Sequence, residues 1–194
     1  MKRRKKIAIV CLIAIVCTPF FPVYGKKTVC AKDSRKIQKE KAEEYLEENG
    51  VWVTSERMSL AVILPNERWE TVEQDSQGYE DVFVSGENRI EFQILTGETA
   101  KAQREEIPQT KEELQNKMPQ GIEVVEFESE ITEEKIKVKT ILEFCDAQTE
   151  QYRYSVSSQT YQGEKCLEAF AYTDKEELIY ILAASVSSAE LLHN

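Results

Sequence analysis

One histidine, five cysteines, two tryptophans and 35 acidic residues are the stock from which this 194-residue chain could build a site. The histidine is His193, next to the last residue, where chain ends fray. Ser-His-Asp, Cys-His and multi-histidine metal chemistry all need an imidazole held in place, so these classes are set aside. Ser-x-x-Lys and Gly-x-Ser-x-Gly are absent. The seven glycines are isolated, at 25, 50, 78, 86, 97, 121 and 163, which leaves no loop to cradle a phosphate. No catalytic residue, cofactor or metal ligand is assigned.

The carboxylates could hide a glycosidase pair, but spacing alone does not choose two acids from so many that solvate the surface. Glu73-x-Asp75-x-Gln77-Gly78 reproduces half of a calcium loop. Its twelfth position is Val84, where a bidentate carboxylate would be needed, so a structural turn is the expectation. Trp52, Trp69 and Tyr79 are the candidates for a ligand platform, against the plainer role of packing the sheet on its helices. Lys135, Lys137 and Lys139 form a row that could bind anions; the expected role is to block edge-to-edge pairing of an exposed strand.

The amino terminus says where these groups would work. Met1 to Lys6 reads MKRRKK, and an apolar run follows from Ile7 to Cys17 before Pro19 and Pro22. That pattern is a secretory signal, too short to span a bilayer of about 30 Å as a helix. Small residues before Lys32 place cleavage after Ala31; cleavage after Gly25 and a retained membrane anchor are the alternatives. Residues 1 to 31 carry seven of the 25 basic residues and none of the acidic ones, so the mature domain is strongly acidic. Nucleic acid is therefore excluded as a partner, membrane contact is expected only through an uncleaved anchor, and cations or basic proteins stay open. The oligomeric state is unknown.

Residues 32 to 50 are mostly charged and end in Asn49-Gly50, a tether closing in a helix. Residues 51 to 194 are read as one domain. Met58 to Leu64, Glu70 to Gln74, Tyr79 to Ser85, Arg89 to Leu95, Ile122 to Ile131, Lys135 to Cys145, Tyr152 to Tyr161 and Cys166 to Thr173 read as strands. Thr96 to Gln109 reads as a polar connection. Thr110 with Glu113, and Asp174 with Glu177, are capping signatures of a short helix and of a final helix. Hairpins with few crossovers predict an α+β fold, an antiparallel β-sheet flanked by helices. With Gln162-Gly163 as the turn, Cys145 lies opposite about Tyr152 and Cys166 opposite about Gln159, roughly 23 Å apart at 3.3 Å per residue. Two separate thiols are expected rather than a disulfide.

Two segments carry a family resemblance: Leu60-Ala61-Val62-Ile63-Leu64-Pro65-Asn66-Glu67-Arg68-Trp69, and the strand-to-helix unit from Cys166 through Asp174 to Leu182 and Ser185. Over residues 51 to 190 their order resembles the PsbP-like family, named for an extrinsic protein of the plant oxygen-evolving complex and represented among secreted bacterial proteins. The resemblance implies an α-β-α sandwich behind a secretion signal, serving as an accessory or binding module rather than an enzyme. The lysine row departs from a sheet covered on both faces, so its strand is at an edge or one face is partly open. The first expectation is thus a non-enzymatic, extracytoplasmic binding domain of unknown ligand. The alternatives are a carboxylate-based hydrolase of a cell-envelope or extracellular polymer, and a structural homo-oligomer.

Overall fold

The computed structural model describes residues 31–55, 57–72, 81–145 and 152–192. The expected signal up to Cys30, the calcium-like stretch from Glu73 to Gly78, and His193 lie outside the described residues. In chain order the elements are helix α1 (Ala31–Asn49), strands β1 (Val51–Ser55), β2 (Leu60–Leu64), β3 (Glu70–Val72), β4 (Asp81–Ser85) and β5 (Asn88–Thr96), and helices α2 (Gly97–Glu105) and α3 (Lys111–Lys117). Then come β6 (Ile122–Ile131), β7 (Lys135–Cys145), β8 (Tyr152–Gln162), β9 (Lys165–Thr173), helix α4 (Ile179–Ser187) and β10 (Glu190–Leu191). The fold is α+β, with antiparallel sheets flanked by helices, as the hairpin pattern implied.

Seven strands form the main sheet in the order β3-β4-β5-β9-β8-β7-β6, and a smaller sheet runs β1-β2-β10. Alternation decides which side chains share a face. On one face Phe83, Ile90, Phe92, Ile141, Tyr154, Val156, Ala169 and Ala171 are buried together with Leu60, Val62 and Leu64 of β2 and Leu182 and Val186 of α4. Helix α4 lies across β7, β8 and β9 and also touches β2 and α1. The segment read as a charged tether is helical throughout, and Ala42 and Leu46 of its second half are buried. On the opposite face Ala100 of α2, with Ile107, covers Ile136, Val138, Tyr161 and Cys166.

Several local expectations need correction. The Thr96–Gln109 connection contains helix α2, which buries only Ala100 and so lacks the apolar stripe that would announce it. The β8–β9 turn is Gly163-Glu164, not Gln162-Gly163, with Gly163 supplying the left-handed backbone at φ 60°. Moving a hairpin turn by one residue moves each cross-strand partner by two, so Cys166 faces Tyr161 and Gln159 faces Glu168. Cys145 does face Tyr152. Nine residues of β8 thus separate the two positions, and Cys166 is a free, buried thiol. Thr110 caps α3 as expected, its Oγ1 accepting from the Glu113 amide at 3.1 Å, and Glu113 reaches back to the Gln109 amide. Asp174 makes no such cap: a 3-10 turn spans Glu176–Leu178, and the Lys175 amide donates to Thr173 Oγ1 instead.

Candidate binding surfaces

The three aromatic candidates do not assemble into a platform. Trp69 is half-buried and packs against the main core. Trp52 lies on β1 with 57% of its surface exposed, and Tyr79 falls outside the described residues. Packing accounts for Trp69 but not for Trp52.

Strand β1 owes this exposure to its place at the margin of the small sheet, paired on one side only, Trp52 opposite Ile63. The other side of β2 is occupied: β10 pairs with Ala61 and Leu60, and farther along Ser188 Oγ accepts from the Ile63 amide while Ser185 Oγ donates to the Ile63 carbonyl. Among the described residues the outer side of β1 has no such partner strand. Its sequence, Val51-Trp52-Val53-Thr54-Ser55, contains no charge, proline or bulge, the usual guards of an edge.

The lysine row is not at an edge, which corrects its expected role. β6 lies outside β7, and Glu126, Glu128 and Glu130 stand opposite Ile141, Lys139 and Lys137. Lys139 Nζ is 2.6 Å from Glu128, and Lys39 of α1 reaches 2.6 Å from Glu128 and 2.7 Å from Glu126. Burial alone would raise the Glu128 carboxyl, but Lys139 and Lys39 outweigh it and hold it at about 2. Along the same row, Lys135 forms no ion pair among the described residues. It stands beside a groove of 240 Å³ bounded by the ends of β7, β8 and β9 and by β10.

Under α2, two buried acids went unseen in the sequence. Glu91 is 1% exposed and Glu168 2%, on neighbouring strands of one face. Arg89 Nε pairs with Glu91. Glu168 accepts from three amides: Gln159 Nε2 at 2.8 Å, Gln93 Nε2 and Gln103 Nε2. Burial and the Glu168 charge push the Cys166 thiol up to about 12, which disfavours the nucleophilic thiolate at neutral pH. Burial also raises the Tyr161 phenol, again with help from Cys166 and Glu168. General acid and base catalysis needs carboxyls that touch substrate, and these two acids are sealed from solvent. The alternation of β5 put Glu91 and Gln93 on one face; only the unrecognised helix made that face an interior.

Among the described residues no group of three or more His, Cys, Asp or Glu side chains is arranged to hold a metal ion, and no helix is long and apolar enough to cross a membrane. What the fold and its surfaces define is an α+β sandwich with a guarded and an unguarded sheet margin. No protein-family model matches the chain, and no curated protein matches it.

Proposed function

We propose that the chain is a non-enzymatic, extracytoplasmic accessory domain of the PsbP-like kind, binding a partner protein by strand addition along β1. The observation that carries this is Trp52, 57% exposed beside the 37% exposed Val51 on an uncharged outer strand. An incoming strand would satisfy the outward backbone groups of β1 and cover the indole, the main-chain and side-chain halves of such recognition. The exposed acids of α1 just before it, Glu43, Glu44, Glu47 and Glu48, favour a basic segment next to the added strand. The Met1–Ala31 signal supports delivery outside the cytoplasm.

A photo-crosslinking amino acid placed at Thr54 in the native host tests this, with the exposed Glu105 on α2 as control position. The expected result is one discrete adduct from position 54, none from 105, and loss of the adduct when Trp52→Lys is added. No adduct at 54, or equal adducts at both positions, would overturn the proposal. An adduct of twice the chain mass would replace it with the homo-oligomer.

A further inference from the structure

Helix α3 is held on the outer margin of β6 by side chains that stand in for a strand. Gln115 Nε2 donates to the Ile122 carbonyl at 2.9 Å, and Gln115 Oε1 accepts from the Val124 amide at 2.7 Å. Lys111 Nζ donates to the Val125 carbonyl at 3.0 Å. One carboxamide thus supplies the donor and the acceptor that a neighbouring strand would present. The seven-residue helix buries no side chain of its own, so polar bonds rather than apolar burial fix it there.

Among the described residues no strand lies outside β6. In an antiparallel strand the amide and carbonyl of one residue point to the same side, so the Gln115 bonds show that Ile122 and Val124 face outward. The extra residue at the Val124–Glu126 bulge resets the alternation and turns Phe127, Ser129 and Ile131 outward. Ile131 is 61% exposed there. Charge, a common guard of an edge, is already taken up within the chain: Lys39 and Lys139 pair with Glu126 and Glu128, and Lys137 stands opposite Glu130.

These outward residues are self-complementary about Phe127. A second copy laid antiparallel would set Phe127 against Phe127, Ser129 against Val124 and the exposed Ile131 against Ile122, the two bulges offsetting each other. Glu130 would face Glu123, a like-charge cost that keeps such a pairing weak. Ile122 and Val124, needed at both ends of this ladder, are the residues that Gln115 already occupies.

We infer that α3 is an autoinhibitory plug: while Gln115 holds Ile122 and Val124 the chain stays single, and withdrawal of α3 lets β6 pair with β6 of a second copy, joining the two main sheets. Strands β6 and β1 are margins of different sheets, so failure of either proposal leaves the other standing.

Sedimentation equilibrium of the purified protein, native and with Lys111→Ala and Gln115→Ala together, tests it. The native chain should be monomeric at ~0.5 mM, whereas the double variant should dimerise with a dissociation constant on the order of 0.1 mM and keep its melting transition. Gln115→Glu alone keeps an acceptor for the Val124 amide but offers the Ile122 carbonyl no donor; it should give a dimer fraction between the two and serves as a second reading that leaves Lys111 in place. Adding Ser129→Pro to the double variant removes an outward donor without touching the β7 ladder, and should restore the monomer. Adding Trp52→Lys instead should leave the dimer unchanged. A double variant and a Gln115→Glu chain that both stay monomeric, a native chain that dimerises as strongly, or a dimer that survives Ser129→Pro or is abolished by Trp52→Lys each overturns the assignment.

Discussion

The two faces of the seven-stranded sheet are buried by opposite means. Under α4 and β2 the central strands present Ile90, Phe92, Ile141, Val156 and Ala171, apolar groups locked by shape. Under α2 the same strands present Glu91, Glu168 and Gln159, held by directed hydrogen bonds. Apolar packing is tolerant of which neighbour supplies the contact, whereas a buried carboxylate requires its particular donors. The first face therefore supplies most of the stability. The second fixes where α2 sits, because Gln103 must reach Glu168 from the helix.

Removing Phe92, fully buried at the centre of the apolar face and set edge-on to Phe83 at 6.0 Å, should have the largest effect. Phe92→Ala is expected to cost about 3–5 kcal/mol in urea denaturation, from lost burial plus the cavity left behind. A cost under ~1 kcal/mol would mean that the face is not the principal core.

On the polar face, Glu168→Ala removes the acceptor shared by Gln93, Gln103 and Gln159. A cost of about 2–3 kcal/mol is expected, with faster amide exchange in α2 than in α4, since α2 alone loses an anchor. Equal loosening of both helices would erase the distinction between the faces.

Cys166 sharpens the same comparison with a smaller effect. Cys166→Ala should cost only ~1 kcal/mol, as a small apolar group lost from a packed site. With its thiol pushed up to about 12, Cys166 should stay silent to thiol reagents at pH 8 until denaturant is added. Rapid labelling of the native protein at Cys166 would show that α2 opens without global unfolding.

These faces were unequally legible. The β6–β7 hairpin was readable to its ends because Ile136, Val138 and Leu142 alternate with Lys135, Lys137 and Glu143 around Thr132-Glu133-Glu134. Helix α4 was readable from its dense apolar residues. Strand β10 was not, since its two residues pair with β2 from far away in sequence and leave no local pattern; β1, which pairs with the nearby β2 as a hairpin, was not legible because Val51-Trp52-Val53-Thr54-Ser55 shows no apolar–polar alternation. The Glu168 network was illegible for a related reason. Period two assigns a residue to a face but says nothing of what covers it, and α2, with Ala100 as its sole buried side chain, gave no warning. The small groove depends on both blind spots, on β10 and on the exact β8–β9 turn.

A third kind of contact joins α1 to the apolar side of the sheet, and it should be the weakest. Lys39 and Lys139 clamp Glu126 and Glu128 at a partly exposed site, where ion pairs are worth less than about 1 kcal/mol. Their signature is the pH window. Glu128, held at about 2, is below its ordinary 4.5, so its contribution is complete above pH 4.5 and fades as pH falls toward 2. For Lys39, burial lowers the ammonium but Glu126 and Glu128 outweigh it, so it is raised above 10.5 and its contribution is lost only as alkali deprotonates it. The difference in unfolding free energy between the native protein and Lys39→Met should accordingly be flat from about pH 5 to 9, shrink below 4.5, and diminish in ~1 M salt. A difference that persists unchanged in acid and in salt would assign the α1 contact to the burial of Ala42 and Leu46 and leave the ion pairs with no part in it.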